Sequence, residues 1–235
     1  MWTLALETST DAGSVALLKD QTVLSLRDWR REKSHSELVT STIEDCLSEA
    51  SISVKKLNRI AVGHGPGSFT GIRIAINAAK TLSYSSGCLL YATDTFRTLA
   101  EPARLQTLPV LGLLNAHKNL IYVAAIDLST GKYSIMPDAL SVEEIELKIQ
   151  SPHLCLGNGF DLWKDTFSER LRANLVRDPV FSDEPSAAHL GRIGAAASQA
   201  ELISWQQLQP LYIRASEPEE KLKAGLFTDR SRINE

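Results

Sequence analysis

GHGPGSFTGIRIAINAAK, Gly63 to Lys80, sets four glycines and a proline directly ahead of a run with helical periodicity. Two readings are open. In one, Gly65, Gly67 and Gly71 let backbone N–H groups close on an anion at the positive end of a helix. In the other they supply positive φ and close backbone approach, Pro66 sets a turn, and the helix is aimed at something else. The stretch is not a Walker A, since no Gly-Lys-Ser/Thr closes it, and Phe69 and Thr70 break the dinucleotide G-x-G-x-x-G spacing. Ser68 or Thr70 can cap the helix, which runs through Leu82 and ends before Gly87. Arg73 falls in its first turn, the unfavourable end of the macrodipole for a cation, at a cost of a few tenths to ~1 kcal/mol. It should therefore meet a carboxylate or a phosphate.

The helix has two apolar stripes, Ile72, Ala75, Ile76, Ala79 and Leu82 on one side and Ile74, Ala78 and Thr81 on another. Such a helix is either fully buried or covers a sheet with one face and a partner with the other. Together with the missing Lys-Ser/Thr closure, this favours the structural turn over the phosphate cradle.

Upstream, TLALETS (Thr3–Ser9), GSVALLK (Gly13–Lys19) and TVLSLRDW (Thr22–Trp29) read as three antiparallel strands joined by tight hairpins. Ser34-x-x-Glu37 is a capping-box pattern opening a helix to about Ser51, with Leu38 beside the stripe Val39, Ile43, Cys46, Leu47 and Ala50. A strand over Leu57–Gly65, another over Cys88–Thr93 and a short helix from Thr95 complete a mixed sheet with helices on it. A second unit begins near Leu108. LPVLGLLNA and LIYVAAIDLSTGKY (Leu120–Tyr133) read as strands joined by a turn at Asn115–Asn119, followed by a helix over Ser141–Gln150 and a strand over His153–Gly159. A last helix covers Ser186–Glu201, and the charged segment from Glu217 is expected to be disordered or ordered by a partner. The expected division is 1–106, 107–216 and a tail, 217–235.

Composition bounds the rest. A chain of 235 residues with 43% hydrophobic content can bury a sizeable core. Its apolar runs fall short of the ~20 residues of a membrane span, and MWTLALETST has no basic leader, so a cytoplasmic protein is expected. Cys46, Cys88 and Cys155 are odd in number and far apart, indicating neither a disulfide framework nor a zinc ribbon. A net charge of −3 supplies no global drive toward nucleic acid. His35, His64, His117, His153 and His189 form no H-x-x-x-H or H-E-x-x-H pair, so no metal site is expected. Arg27, Arg30, Arg31 and Lys33 make a basic patch, read as a solvated face or as an anion contact. Two enzymatic readings compete: an ATP-dependent phosphotransferase or ATPase using Glu7 and the glycine turn, and a peptidase with His64 as base.

Taken together, LALETSTDAGSVALL, REKSHSELV, IAVGHGPGSFTGIRIAINAAKTL and PLYIR (Pro210–Arg214) resemble the TsaB (YeaZ) family, accessory subunits in synthesis of threonylcarbamoyladenosine beside the tRNA anticodon. The resemblance spans nearly the whole chain, and GPGSFTGIR is its most specific piece. It implies an α/β fold of the actin-like, Hsp70-like, sugar-kinase-like class with two related lobes. It further implies a subunit without catalysis or cofactor of its own, which activates the paralogue TsaD, whose metal is held by an H-x-x-x-H pair. The implied docking residues are Leu38, Thr42, Ile43 and Cys46 on the first helix and Gly71, Ile74, Ala75, Ala78 and Leu82 on the second. Gly65, Pro66, Gly67, Ser68 and Arg73 form the structural or anion-binding turn. Implied partners are TsaD, the ATPase TsaE, a second copy of the chain when TsaD is absent, and tRNA only through the complex. Two departures stand out: Glu7 where an Asp is usual, and NAHKNLIYVA (Asn115–Ala124) where the family often has Asp-Ala-Arg.

Overall fold

The computed structural model describes residues 1–30 and 35–214. The expectations for Arg31, Lys33, Ser34 and the segment from Glu217 fall outside these described residues.

The first three strands, β1 (Trp2–Glu7), β2 (Ala12–Lys19) and β3 (Thr22–Arg30), form the expected antiparallel meander. After it come α1 (His35–Glu49), β4 (Arg59–Gly63), α2 (Phe69–Ser86), β5 (Leu89–Thr93) and α3 (Thr95–Ala100). β4 runs parallel to β1 and β5 parallel to β4, so the sheet order is β3-β2-β1-β4-β5. Side chains alternate across a strand, and here both sheet faces are covered, which is why β1, β2 and β4 read as unbroken apolar runs. On one face Leu4, Leu6, Val15, Leu17, Ile60 and Val62 pack against Val39, Ile43 and Cys46 of α1 and Ile72, Ala75, Ile76 and Ala79 of α2. Each fully buried Leu or Ile contributes about 1.5–3 kcal/mol to that layer.

The second sheet comprises β6 (Val110–Asn115), β7 (Ile121–Asp127), β8 (Lys132–Leu140), β9 (His153–Leu156) and β10 (Leu175–Val176), in the order β8-β7-β6-β9-β10. This repeats the first sheet's order, a three-strand antiparallel meander continued by two parallel strands. The two related lobes of the actin-like, Hsp70-like, sugar-kinase-like class are therefore present. α4 (Val142–Lys148), α5 (Gly159–Trp163) and α6 (Glu169–Asn174) belong to this lobe, and α4 opens on a complete Ser141–Glu144 capping box.

Several elements differ from expectation. The apolar run expected as one strand to Tyr133 stops at Asp127, where the Asp127 carboxylate accepts from the Ser129 and Thr130 amides, and β8 begins beyond this turn. β8 has Pro137 in its middle, which argues against a central strand; as an edge strand it needs no outward N–H. α5, α6 and β10 were not anticipated, and the last helix divides into α7 (Ala187–Ala196) and a 3-10 turn, Gln199–Glu201.

The helices are exchanged between sheets. α7 follows the second sheet in sequence but packs Ala187 and Leu190 on Ala5, Ala16, Leu18, Ala61 and Tyr91 of the first. The Arg59 guanidinium donates to the Gly194 and Ala197 carbonyls and so satisfies the end of α7. Reciprocally, Phe96, Leu99 and Ala100 of α3 pack on Val110, Tyr122, Ala124 and Leu156 of the second sheet.

Candidate docking face and interlobe cleft

The glycine turn is filled by the protein's own backbone. A Cβ at Gly67 would collide with the Ser9 carbonyl, and one at Gly71 with the Thr8 carbonyl, so the start of α2 lies directly on the β1–β2 hairpin. Hydrogen bonds hold that contact: the Ser68 amide donates to Ser9 O (2.7 Å) and Thr8 Oγ1 to Gly71 O (2.7 Å). Ser68 caps α2 by accepting from the Gly71 amide. Gly65 has φ 108°, and its carbonyl and that of Pro66 accept from Thr95 N (2.9 Å) and Oγ1 (2.8 Å). The turn thus sets the aim of α2.

The nine expected docking residues do not form one surface. Ile43, Cys46 and Ala75 are core residues, with Cys46 and Ala75 wholly inaccessible, and Thr42 and Gly71 are buried as well. At 100° per residue Ile43 and Cys46 align with Val39 and Leu47 toward the sheet, and Ala75 aligns with Ile72 and Ala79. Leu38, Ile74, Ala78 and Leu82 lie at the margin of those stripes and remain half-buried. Around them the exposed positions are mostly short: Ser36, Thr40, Ser41 and Ser48 on α1, and Thr70, Asn77, Thr81 and Ser85 on α2. Acids sit on α1 as Glu37, Glu44 and Asp45, and the bases Arg73 and Lys80 on α2.

Sequence reasoning missed two aromatic pairs beside this face. Tyr84, 74% exposed, stands edge-on to Trp205 at 5.6 Å. Phe69 stacks on Tyr212 of the PLYIR segment at 4.5 Å, and the Arg73 guanidinium carbon lies 5.3 Å from the same Phe69 ring. Among the described residues no carboxylate pairs with Arg73. The available signal was the placement of Phe69 and Tyr84 among small and polar residues of α2.

Between the lobes is a cleft of about 660 Å³, walled by the Ser9–Asp11 hairpin, the Gly67–Thr70 turn, the β6–β7 turn and Tyr212–Arg214. Thr10 Oγ1 donates to Glu184 (2.7 Å), whose carboxylate also pairs with Arg30 at 3.7 Å. The unusual Asn115-Ala116-His117 makes its own turn: Asn115 Oδ1 accepts from the His117 amide (2.9 Å), and the Ala116 and His117 carbonyls accept from Arg214. Three successive left-handed residues, His117, Lys118 and Asn119, complete it.

Glu7 does not line this cleft. Its side chain is wholly buried, Oε1 accepts from the Ser9 amide (2.9 Å), and the carboxyl fills the space a side chain at Gly63 would need. Burial pushes the acid up from its ordinary value, with Asp94 adding to the effect against the hydrogen bonds from Ser9 and Thr8. The acid assigned to metal and phosphates in the phosphotransferase reading therefore lies beneath the hairpin, and the residues present do not fit that role. His64 Nδ1 donates to Gln209 O (3.1 Å) and ties down the PLYIR segment. Of the basic patch, Arg27 pairs with Glu49 and Arg30 with Glu184, and both guanidinium groups stay exposed, as on a solvated face. Among the described residues no group of three His, Cys, Asp or Glu could hold a metal ion, and no helix is long and apolar enough to cross a membrane.

The family model for TsaD, tRNA N6-adenosine threonylcarbamoyltransferase, matches residues 30–215. The chain is 26% identical to the tRNA threonylcarbamoyladenosine biosynthesis protein TsaB of Bacillus subtilis, over 94% of this chain and 97% of that one. It is 26% identical to the protein of the same name from Escherichia coli, over 90% and 94% respectively. The solved structure of YeaZ from Pseudomonas aeruginosa superposes with a TM-score of 0.76 at 26% identity, covering 90% of this chain and 99% of that one. With family model, fold and near-complete mutual coverage in agreement, the chain belongs to the TsaB (YeaZ) family, within the wider TsaD family whose model it matches.

Proposed function

We propose that the chain acts in threonylcarbamoyladenosine biosynthesis as a non-catalytic subunit that binds and activates a TsaD-type transferase through the outer side of α1 and α2. The observation that carries this reading is that side itself: Leu38, Ile74, Ala78 and Leu82 half-exposed among short polar residues, on two helices whose other sides are anchored in the core. Short side chains let a second helix pair approach closely and lose little rotamer freedom on docking. Relatives named as biosynthesis proteins rather than transferases support the accessory role, and the absent H-x-x-x-H pair agrees with it. In this reading the same side pairs two copies of the chain when the transferase is absent. A TsaE-type ATPase joins the complex, which works in the cytoplasm and meets tRNA through the transferase.

The test is co-elution of the protein with the TsaD-type protein of its own genome on size-exclusion chromatography, with transfer activity assayed in parallel. A stable complex and stimulated transfer are expected. Ala78→Glu should weaken the complex by tenfold or more while leaving the melting curve near that of the wild type, because it sets an unpaired charge in the interface. Separate elution at micromolar concentrations, or undiminished binding by Ala78→Glu, would overturn the proposed docking face.

A further inference from the structure

The PLYIR segment reaches α2 from across the cleft. Leu208 before it is buried in the first lobe's core, and the Leu211 amide donates to His64 O (2.8 Å) directly ahead of the glycine turn. Tyr212 then stacks on Phe69, Ile213 packs into the second lobe's apolar cluster, and Arg214 donates to carbonyls of the β6–β7 turn. Within a few residues the segment is fixed to both lobes, and its aromatic ring lies against the first residue of α2. Phe69 in turn carries the Arg73 guanidinium. An exposed arginine ordinarily samples many rotamers, whereas this one is held over a ring that is itself held by another.

Among the described residues no opposite charge accounts for that arrangement. Arg73 is the fifth residue of α2, at the start of its second turn and still near the end where the helix N–H groups disfavour a cation. Glu37, Glu44 and Asp45 on neighbouring α1 do not pair with it among the described residues. Lys80, two turns further along the same face of α2, lies over no aromatic ring among the described residues.

We propose that Arg73, oriented by Phe69 and Tyr212, is a specificity-determining residue that recognises a carboxylate on the protein partner docking at α1 and α2. The proposal rests on the docking reading above and assigns one contact within it. Tyr212 is a positioning residue: it acts through Phe69 on the direction of the guanidinium. Because its segment is tied to both lobes, the geometry of the cleft reaches the docking face through this stack.

The experiment is titration of the protein with the TsaD-type protein of its own genome, without tRNA, across a range of sodium chloride concentrations. Arg73→Gln should bind about tenfold more weakly and lose part of the salt dependence of the wild type, since an exposed ion pair is screened by salt. Tyr212→Ala should weaken binding several-fold and Tyr212→Phe should restore it, because the ring and not the hydroxyl makes the stack. The Arg73→Gln/Tyr212→Ala double variant should bind no more weakly than Arg73→Gln alone, as the ring then has no guanidinium to orient. Wild-type affinity and salt dependence in Arg73→Gln would overturn the proposal while leaving docking intact. So would strictly additive losses in the double variant. Absence of wild-type binding would overturn the docking reading and this contact with it.

Discussion

Glu7 and His189 are both held toward their neutral forms by burial, and their contributions to stability change with pH in opposite directions. The folded value of Glu7 is raised above 4.5, so above that pH the unfolded chain releases a proton that the folded chain retains. Stability from this residue is fully present below the unfolded value and falls as pH rises through the folded one. Glu7→Gln preserves size and an acceptor for the Ser9 amide, so its urea midpoint should equal or exceed that of the wild type at pH 8, with a flatter profile from pH 5 upward. A Gln variant clearly less stable at pH 8 would mean that the carboxylate is charged and paired. For His189, burial, then Arg192 and Arg104, push the imidazole down to about 4. The unfolded chain, near 6.5, binds the extra proton first as pH falls, so stability declines between about 6.5 and 4, and His189→Gln should remove that limb. A steeper acid limb in the variant would contradict this. Glu7 was legible as a departure from the family's Asp but not as a buried group. The room for its carboxyl is provided by the missing side chain at Gly63, which parallel pairing of β4 with β1 brings alongside.

α2 shows what an element inherits from the turn before it. Because a Cβ at Gly71 would meet the Thr8 backbone, Gly71→Ala must displace either the hairpin or the helix, with an expected loss above ~2 kcal/mol in urea unfolding. Ser68→Ala removes only the cap bond and should cost about 1 kcal/mol. The informative result is the order: equal small losses would show that the hairpin yields easily and that the turn does not aim the helix. Elements with strong local signals were legible, including the meander, α1, α2 with Ser68 at its start and Gly87 at φ 77° closing it, and α4 with its capping box. β8 was not, since Pro137 argues against a strand until the sheet shows that its outer edge is unpaired. α5 and α6, of five and six residues, are too short for helical periodicity to emerge, and β10 is a two-residue pairing. The docking stripes were legible as stripes. Which one faces the sheet is set by contacts outside each helix, and Cys46 and Ala75, expected on the docking face, lie on the side turned to the sheet.

At the scale of the molecule, each lobe is completed by a helix from the other segment of chain. That the chain begins each half with adjacent strands was visible in the sequence; the shared strand order and the crossing of α3 and α7 were not, because both depend on contacts far apart in the chain. Division after residue 106 follows the sheets but cuts this exchange. Residues 1–106 alone would keep the meander, α1 and α2, yet Ala5, Ala16, Leu18, Ala61 and Tyr91 would lose the cover of α7, and Phe96 and Leu99 of α3 would have no second sheet to pack on. Arg59 would lose the Gly194 and Ala197 carbonyls, leaving a buried guanidinium without those acceptors. At about 1.5–3 kcal/mol for each large apolar side chain uncovered, these losses approach the ~5–15 kcal/mol by which domains are stable. The isolated 1–106 fragment should therefore bind a dye that reports exposed apolar surface and unfold without a cooperative transition. Co-expression with 107–235 should restore one sharp transition, because α7 and α3 then regain their sheets. Cooperative unfolding of 1–106 by itself, at a midpoint near that of the intact chain, would make the exchanged helices dispensable and the two lobes separate folding units.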